Sequence, residues 1–145
     1  MKTVAIFLAL AAPASALSQD WTAETCNSAL EHAYSPFAAK PGASTRGDFN
    51  SDGLTDFALL LGNSRNTRNS AIGVCLSKEP RPLLITAPYA TGTISTKPMG
   101  TAYRDLETAK KGAYERDAIS VNDGAGAGAS YILRAGVFAR VIDGD

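Results

Sequence analysis

"GDFNSDGLTDFALLL", Gly47 to Leu61, joins two patterns. Its first half sets Asp48, Asn50, Asp52 and Asp56 around Gly53, and its second half is a compact apolar run. Asp48, Asn50 and Asp52 stand at the first, third and fifth places of the loop. Gly53 follows at the sixth, where a sharp turn favours a residue without a Cβ. Leu54 at the seventh offers its backbone carbonyl, and Asp56 at the ninth another carboxylate. Hard oxygen donors wrapped round a tight loop are what calcium takes. Zinc draws on histidine and cysteine, and the loop has neither. Magnesium asks for stricter octahedral geometry and is the second choice. The expected ligands of one Ca2+ ion are therefore Asp48, Asn50, Asp52, Leu54 through its carbonyl, and Asp56. Three carboxylates this close would repel one another without a cation. The competing reading is an Asp/Asn/Gly-rich turn that holds no metal.

The second half decides what the loop leads into. A helix–loop–helix calcium site would carry a bidentate glutamate at its twelfth place, where this chain has Leu59. "DFALLLGN", Asp56 to Asn63, is apolar on both faces, which suits a central strand. The loop is thus expected to run directly into a β-strand, with Asp56 at the junction.

On the amino-terminal side, "TAETCNSALEHAYSPFAA" carries Cys26, Ala29, Leu30, Ala33, Tyr34 and Phe37 at helical steps, with Thr22 as the cap. Pro36 should end this helix near Tyr34. On the carboxy-terminal side, "NSRNTRNS" (63–70) reads as a polar turn. "AIGVCLS", Ala71 to Ser77, then alternates: Ile72, Val74 and Leu76 on one face, Ala71, Gly73 and Cys75 on the other. The second face is small enough for a helix to approach closely, with Cys75 meeting Cys26. "RPLLITAPY", Arg81 to Tyr89, reads as a further strand. Between Thr91 and Gly112 the chain reads as extended or irregular, with "DLETAKK" either a short helical turn or a polar hairpin loop. "RDAISV", "SYILRAG" and "VFARVIDGD" are strands, the last two a hairpin turning at Arg134-Ala135-Gly136. The expected fold is α+β and mainly antiparallel: an amino-terminal helix packed on a single sheet, with a calcium loop leading into a central strand.

At the loop the chain resembles the D-x-N-x-D-G-x-x-D calcium loop of FG-GAP and VCBS-type repeats, the integrin-α-like blade motif. Gly47, Phe49 and the apolar strand after Asp56 fit as well. The resemblance implies calcium at Asp48, Asn50, Asp52, the Leu54 carbonyl and Asp56. Propellers need several blades, and this chain has one loop, so it resembles small exported proteins that carry a single such motif.

The ends and the composition set the compartment. Met1-Lys2, the apolar run Val4 to Ala12 and "ASA" at Ala14 to Ala16 read as a secretory signal peptide over residues 1–16. The mature chain is then 17–145, one domain, either periplasmic or secreted. No cysteine opens it, which disfavours a lipid anchor, and no later run is long enough to span a bilayer. The whole chain has 14 Lys+Arg against 14 Asp+Glu, and removing Lys2 leaves 13 against 14, a mature balance of −1. That charge gives no reason to expect nucleic acid or an acidic membrane as partner. Cys26 and Cys75 are the 2 cysteines. In an exported chain they favour a disulfide over a pair of buried thiols.

Other features of the chain are candidates for chemistry. "RGD", Arg46 to Asp48, is an adhesion tripeptide, but Asp48 already faces the proposed ion. "NDGAGAGAS", Asn122 to Ser130, lacks the spacing of a phosphate loop and reads as a hairpin connection. His32, the 1 histidine, has no identifiable nucleophile to serve and reads as a surface or half-buried residue. Asp105 with Glu107, or Glu115 with Asp117, would be too local for a glycosidase pair. Tyr89, Tyr103, Tyr114 and Tyr131 suit a binding surface or a core equally. The reading that follows is a small exported calcium-binding domain with a structural ion and no catalytic residues. Its expected partner is another protein or a glycan. A small calcium-dependent hydrolase, and a secreted enzyme inhibitor using the 122–130 loop, are the alternatives.

Overall fold

The computed structural model describes residues 20–87, 92–125 and 127–143. The expected signal peptide (1–16), Tyr89 and the last two residues lie outside them. The helix α1 spans Ala23–Tyr34, and the strands are β1 Phe37–Gly47, β2 Asp56–Asn63, β3 Ser70–Cys75, β4 Leu83–Thr86, β5 Ile94–Lys97, β6 Ala102–Arg104, β7 Lys111–Ala113, β8 Ala118–Asn122, β9 Gly128–Arg134 and β10 Val137–Val141.

The strands form one sheet in the order β1-β2-β3-β4, another in the order β10-β9-β8-β5, and the pair β6-β7. Every pairing among them is antiparallel. As expected, the helix packs on a largely antiparallel sheet, the β1–β4 sheet, but the strands divide into two four-stranded sheets and a hairpin rather than the single sheet expected. The second sheet covers the opposite face, and the β6-β7 hairpin covers the second sheet's outer side. β2 is apolar throughout because both of its faces are covered. Leu59 and Leu61 join Trp21, Cys26, Leu30, Ala71 and Cys75 under the helix. Ala58 and Leu60 join Ile72, Val74, Leu76, Ile119, Val121, Tyr131 and Leu133 between the sheets. Each fully buried leucine of this kind contributes roughly 1.5–3 kcal/mol.

The two faces of β3 divide as the alternation predicts. Ile72, Val74 and Leu76 lie between the sheets, and Ala71 and Cys75 lie under the helix. A Cβ on Gly73 would stand 2.5 Å from both Leu30 methyl carbons. The glycine lets the helix approach closely, and Cys26 and Cys75 are disulfide-bonded with Cα atoms 5.8 Å apart. Thr22 caps α1, its hydroxyl accepting from the Thr25 amide at 3.1 Å while the Thr25 hydroxyl accepts from the Thr22 amide at 2.9 Å. Trp21, just before the cap, donates its indole N–H to the carbonyls of Leu76 and Glu79 at 3.0 and 3.1 Å.

Three expectations change. The helical stripe does not reach Phe37, because the chain leaves α1 at Ser35-Pro36 and Phe37 opens β1. Ala33 is exposed, so the buried stripe is Cys26 and Leu30, with Ala29 and Tyr34 at its edge. The segment Phe37–Gly47, for which no strand was expected, forms β1. Between residues 102 and 113, β6 and β7 pair and "DLETAKK" lies at their turn, so the hairpin alternative holds. The β9–β10 hairpin turns as expected, with Ala135 and Gly136 at φ 48° and 79°. Positive φ at both central residues is the type I′ signature that matches strand twist.

Candidate functional site

The Gly47–Asp56 loop connects β1 to β2 and is folded by its own side chains. Asp48 accepts from the Asp52 amide with one oxygen and from the Gly53 amide with the other, both at 2.9 Å. The Asn50 side-chain oxygen accepts from the Asp52 amide at 3.1 Å, and Asp52 accepts from the Leu54 amide at 2.9 Å. Ser51 and Gly53 take left-handed backbone, at φ 61° and 79°. The glycine is thus placed where the sequence pattern requires it, and a serine shares the turn. Asp48 is turned into the loop, which removes its carboxylate from an adhesion surface.

Asp56 behaves differently. It is fully buried. One oxygen accepts from the amides of Phe49 and Asn50 at 2.7 and 3.2 Å, and the other from the amide and hydroxyl of Ser77 at 2.6 and 2.8 Å. A carboxylate has about four acceptor positions, and these donors take them. The Ser77 hydroxyl also stands 2.8 Å from Asp52. Its single proton serves one carboxylate at a time. Lys78 compensates Asp52 from 3.4 Å. Burial pushes the Asp56 carboxyl above the ordinary aspartate range, against the pull of its hydrogen bonds to Ser77, Phe49 and Asn50. At Asp52 desolvation pushes up, but hydrogen bonds from Leu54, Ser77 and Asn50 and the charge of Lys78 outweigh it and lower the pKa.

The loop is also clamped from the second sheet. Just before β8, Asp117 accepts from the amides of Asp48 at 3.0 Å and Met99 at 2.9 Å. Arg116 reaches the Asn50 carbonyl at 3.4 Å. Thr96 of β5 donates to the Arg46 carbonyl at 2.8 Å. The carboxylates that were expected to repel are therefore met by amides, a hydroxyl and a lysine.

As a cation site, the donor chemistry fits for part of the set. Asp48, Asn50 and Asp52 bring oxygen ligands to one tight turn, and Leu54 follows with its carbonyl. Asp56 departs from the pattern, since Phe49, Asn50 and Ser77 occupy it. Among the described residues no three acidic, histidine or cysteine side chains are grouped to hold a metal. The loop's third side-chain donor is an amide, that of Asn50.

A second polar centre was not legible in the sequence. Asp143 is buried and accepts from Lys97 at 2.7 Å, from Tyr114 at 2.6 Å and from Ser130 at 3.0 Å. Burial, then the hydrogen bond to Asp143, push the Tyr114 phenol well above its ordinary value. This network ties the last described residue to β5, β9 and the end of the β6-β7 hairpin. Its members are far apart in sequence, and no local spacing marks them.

The remaining candidates have structural partners. Asp105 accepts from the Thr108 hydroxyl and from the amides of Glu107 and Ile142, which lowers its pKa, the Thr108 bond foremost. Glu107 faces Arg140 at 3.5 Å and Glu115 faces Arg134 at 3.3 Å. His32 is exposed in the last turn of α1. Tyr114 and Tyr131 are buried, and Tyr103 packs on Tyr114 with ring centres 4.9 Å apart. These tyrosines belong to the core and its rim rather than to a common surface. The "NDGAGAGAS" segment joins β8 to β9 as a hairpin connection, with Gly126 outside the described residues. No family model, curated protein or solved structure matches the chain.

Proposed function

We propose that this chain is a small exported domain that holds one calcium ion in the Gly47–Asp56 loop. The ion has a structural role, and the domain works by binding another protein or a glycan rather than by catalysis. The observation that carries the reading is the curl of the loop, in which Asp48, Asn50 and Asp52 are turned inward over left-handed Ser51 and Gly53. Such donors suit a hard cation that tolerates irregular oxygen geometry. Asp48, Asn50, Asp52 and the Leu54 carbonyl would hold it. Asp56 would act as the post that anchors the loop, and would become a ligand only by giving up a bond to Ser77. When bound, the ion supplies positive charge that offsets the clustered carboxylates. The disulfide supports an oxidising compartment, which agrees with the expected signal peptide.

The test is thermal unfolding of the mature, oxidised chain after chelation, with calcium and then magnesium restored. At 100 times its dissociation constant a ligand stabilises by about 2.7 kcal/mol, on the order of 10 °C for a domain of this size. The expected result is a calcium-specific rise that disappears in Asp52→Ala. The reading is overturned if neither ion raises the midpoint.

A further inference from the structure

At the end of the sandwich away from the loop, the two sheets flank a half-open cavity of about 210 Å3. β8 spans this distance: Asp117, which touches the loop, precedes its first residue, and Asn122 at its last residue lines the cavity. Ala87, Ala127 and Ala129 form much of its wall. A dry cavity of about 150 Å3 lined by apolar side chains is large enough for benzene, so this one has room for one ring and a small substituent.

Two polar groups give the cavity a chemical preference. Tyr131 lines it and is 7% exposed. Its hydroxyl has no hydrogen-bond partner among the described residues. The hydroxyl is not one of the fully buried polar atoms, so it is open to a ligand from the cavity. Arg140 also lines the cavity and sits directly opposite Tyr131 in the β9–β10 ladder. Its protein partner, Glu107, is 3.5 Å away, with both side chains at least half exposed. A pair of that kind is weak, and it leaves the planar face of N–H donors open to a carboxylate. Asp123, the acidic residue on the wall, has one oxygen bound by the amides of Ala125 and Ala127 at 2.7 and 3.1 Å. It is turned into its own tight turn. Burial raises the Tyr131 pKa, so its hydroxyl is neutral and able to donate at neutral pH.

We infer that this cavity binds a small organic carboxylate with a single aromatic ring or an equivalent branched aliphatic body. The apolar part rests on Ala87, Ala127 and Ala129, and the carboxylate is received by the Arg140 guanidinium and the Tyr131 hydroxyl. This site is independent of the calcium loop, and either reading stands if the other fails.

The experiment is an amide-shift NMR titration of the mature chain with sodium benzoate, and in parallel with benzyl alcohol, each to about 10 mM, ten times a millimolar dissociation constant. Saturable benzoate shifts are expected around Ala127, Ala129 and Arg140, with the alcohol at least tenfold weaker. Arg140→Gln, at an exposed position, should weaken benzoate about tenfold and leave the alcohol unchanged. Tyr131→Phe should weaken benzoate while keeping the ring that packs the core. Absence of saturable shifts with benzoate overturns the site. Equal binding of both probes, or benzoate binding indifferent to Arg140→Gln, overturns the carboxylate assignment.

Discussion

Ser77 gives both its backbone N–H, at 2.6 Å, and its hydroxyl, at 2.8 Å, to the same oxygen of Asp56. The two residues lie 21 apart in the chain, so this contact fastens the β1–β2 loop to the end of β3. Asp56→Asn should destabilise the fold by about 2–3 kcal/mol, because the new amide group would point a donor at N–H groups that need acceptors. Ser77→Ala should cost about 1 kcal/mol, since the backbone donor remains. Urea unfolding of both variants checks this, and equal losses would contradict the saturated-acceptor account.

The close approach of α1 to β3 depends on Gly73. Gly73→Ala would put a Cβ 2.5 Å from Leu30, and overpacking of this sort costs about 1–3 kcal/mol. Leu30→Ala in the same chain should recover part of that loss, so the two substitutions will be less than additive. A double-mutant cycle by denaturant unfolding reads the coupling directly. Additive losses would show that the helix shifts without resistance.

The disulfide closes a sequence separation of 49 residues between α1 and β3. Constraining an unfolded loop of that length is worth about 4 kcal/mol in the chain-entropy model. Cys26→Ala combined with Cys75→Ala should lower stability by roughly that amount. The loss should be visible as a lower denaturant midpoint against the oxidised parent. A change within error would mean that packing under the helix, rather than the crosslink, holds α1 in place.

Tyr114 sets a dependence on alkaline pH. Its folded pKa is raised above the ordinary phenol value of about 10, by burial first and then by its hydrogen bond to Asp143. The folded state therefore holds the proton more tightly than the unfolded chain. The stability this contributes is complete below pH 10 and is lost as pH rises above it. Tyr114→Phe should be less stable by about 1–3 kcal/mol at neutral pH, because Asp143 loses a donor. The gap between parent and variant should then narrow above about pH 10. Unfolding midpoints at neutral and alkaline pH test the sign, and parallel curves would refute it.

How much of this was legible in the sequence depends on the range of the interaction. The two faces of β3 and the continuous apolarity of β2 could be read because period-two alternation reports which faces are covered. The Ala135-Gly136 turn could be read because its backbone needs positive φ within two adjacent residues. β1 was concealed. "FAAKPGASTRG" carries Pro41 and a left-handed Gly42, and its pairing with β2 shifts register between Ala39 and Ser44. An interrupted edge strand of this kind has little periodicity of its own, and β2 supplies the partner that makes it a strand.

The candidate site divides in the same way. The turn at Asp48, Asn50, Asp52 and Gly53 is local, and its spacing along the chain already determines that these side chains curl over one another's amides. Period two, together with a disulfide expected in an exported chain, also pointed to an apolar helix and the small face of β3 meeting at Cys26 and Cys75. The tertiary structure decided that Asp56 faces Ser77, that Asp117 clamps the loop, and that Lys97, Tyr114 and Ser130 converge on Asp143. It also decided that the second sheet closes over the first. Each of these brings together groups remote in sequence, and a buried acceptor is matched to whichever donors packing places beside it.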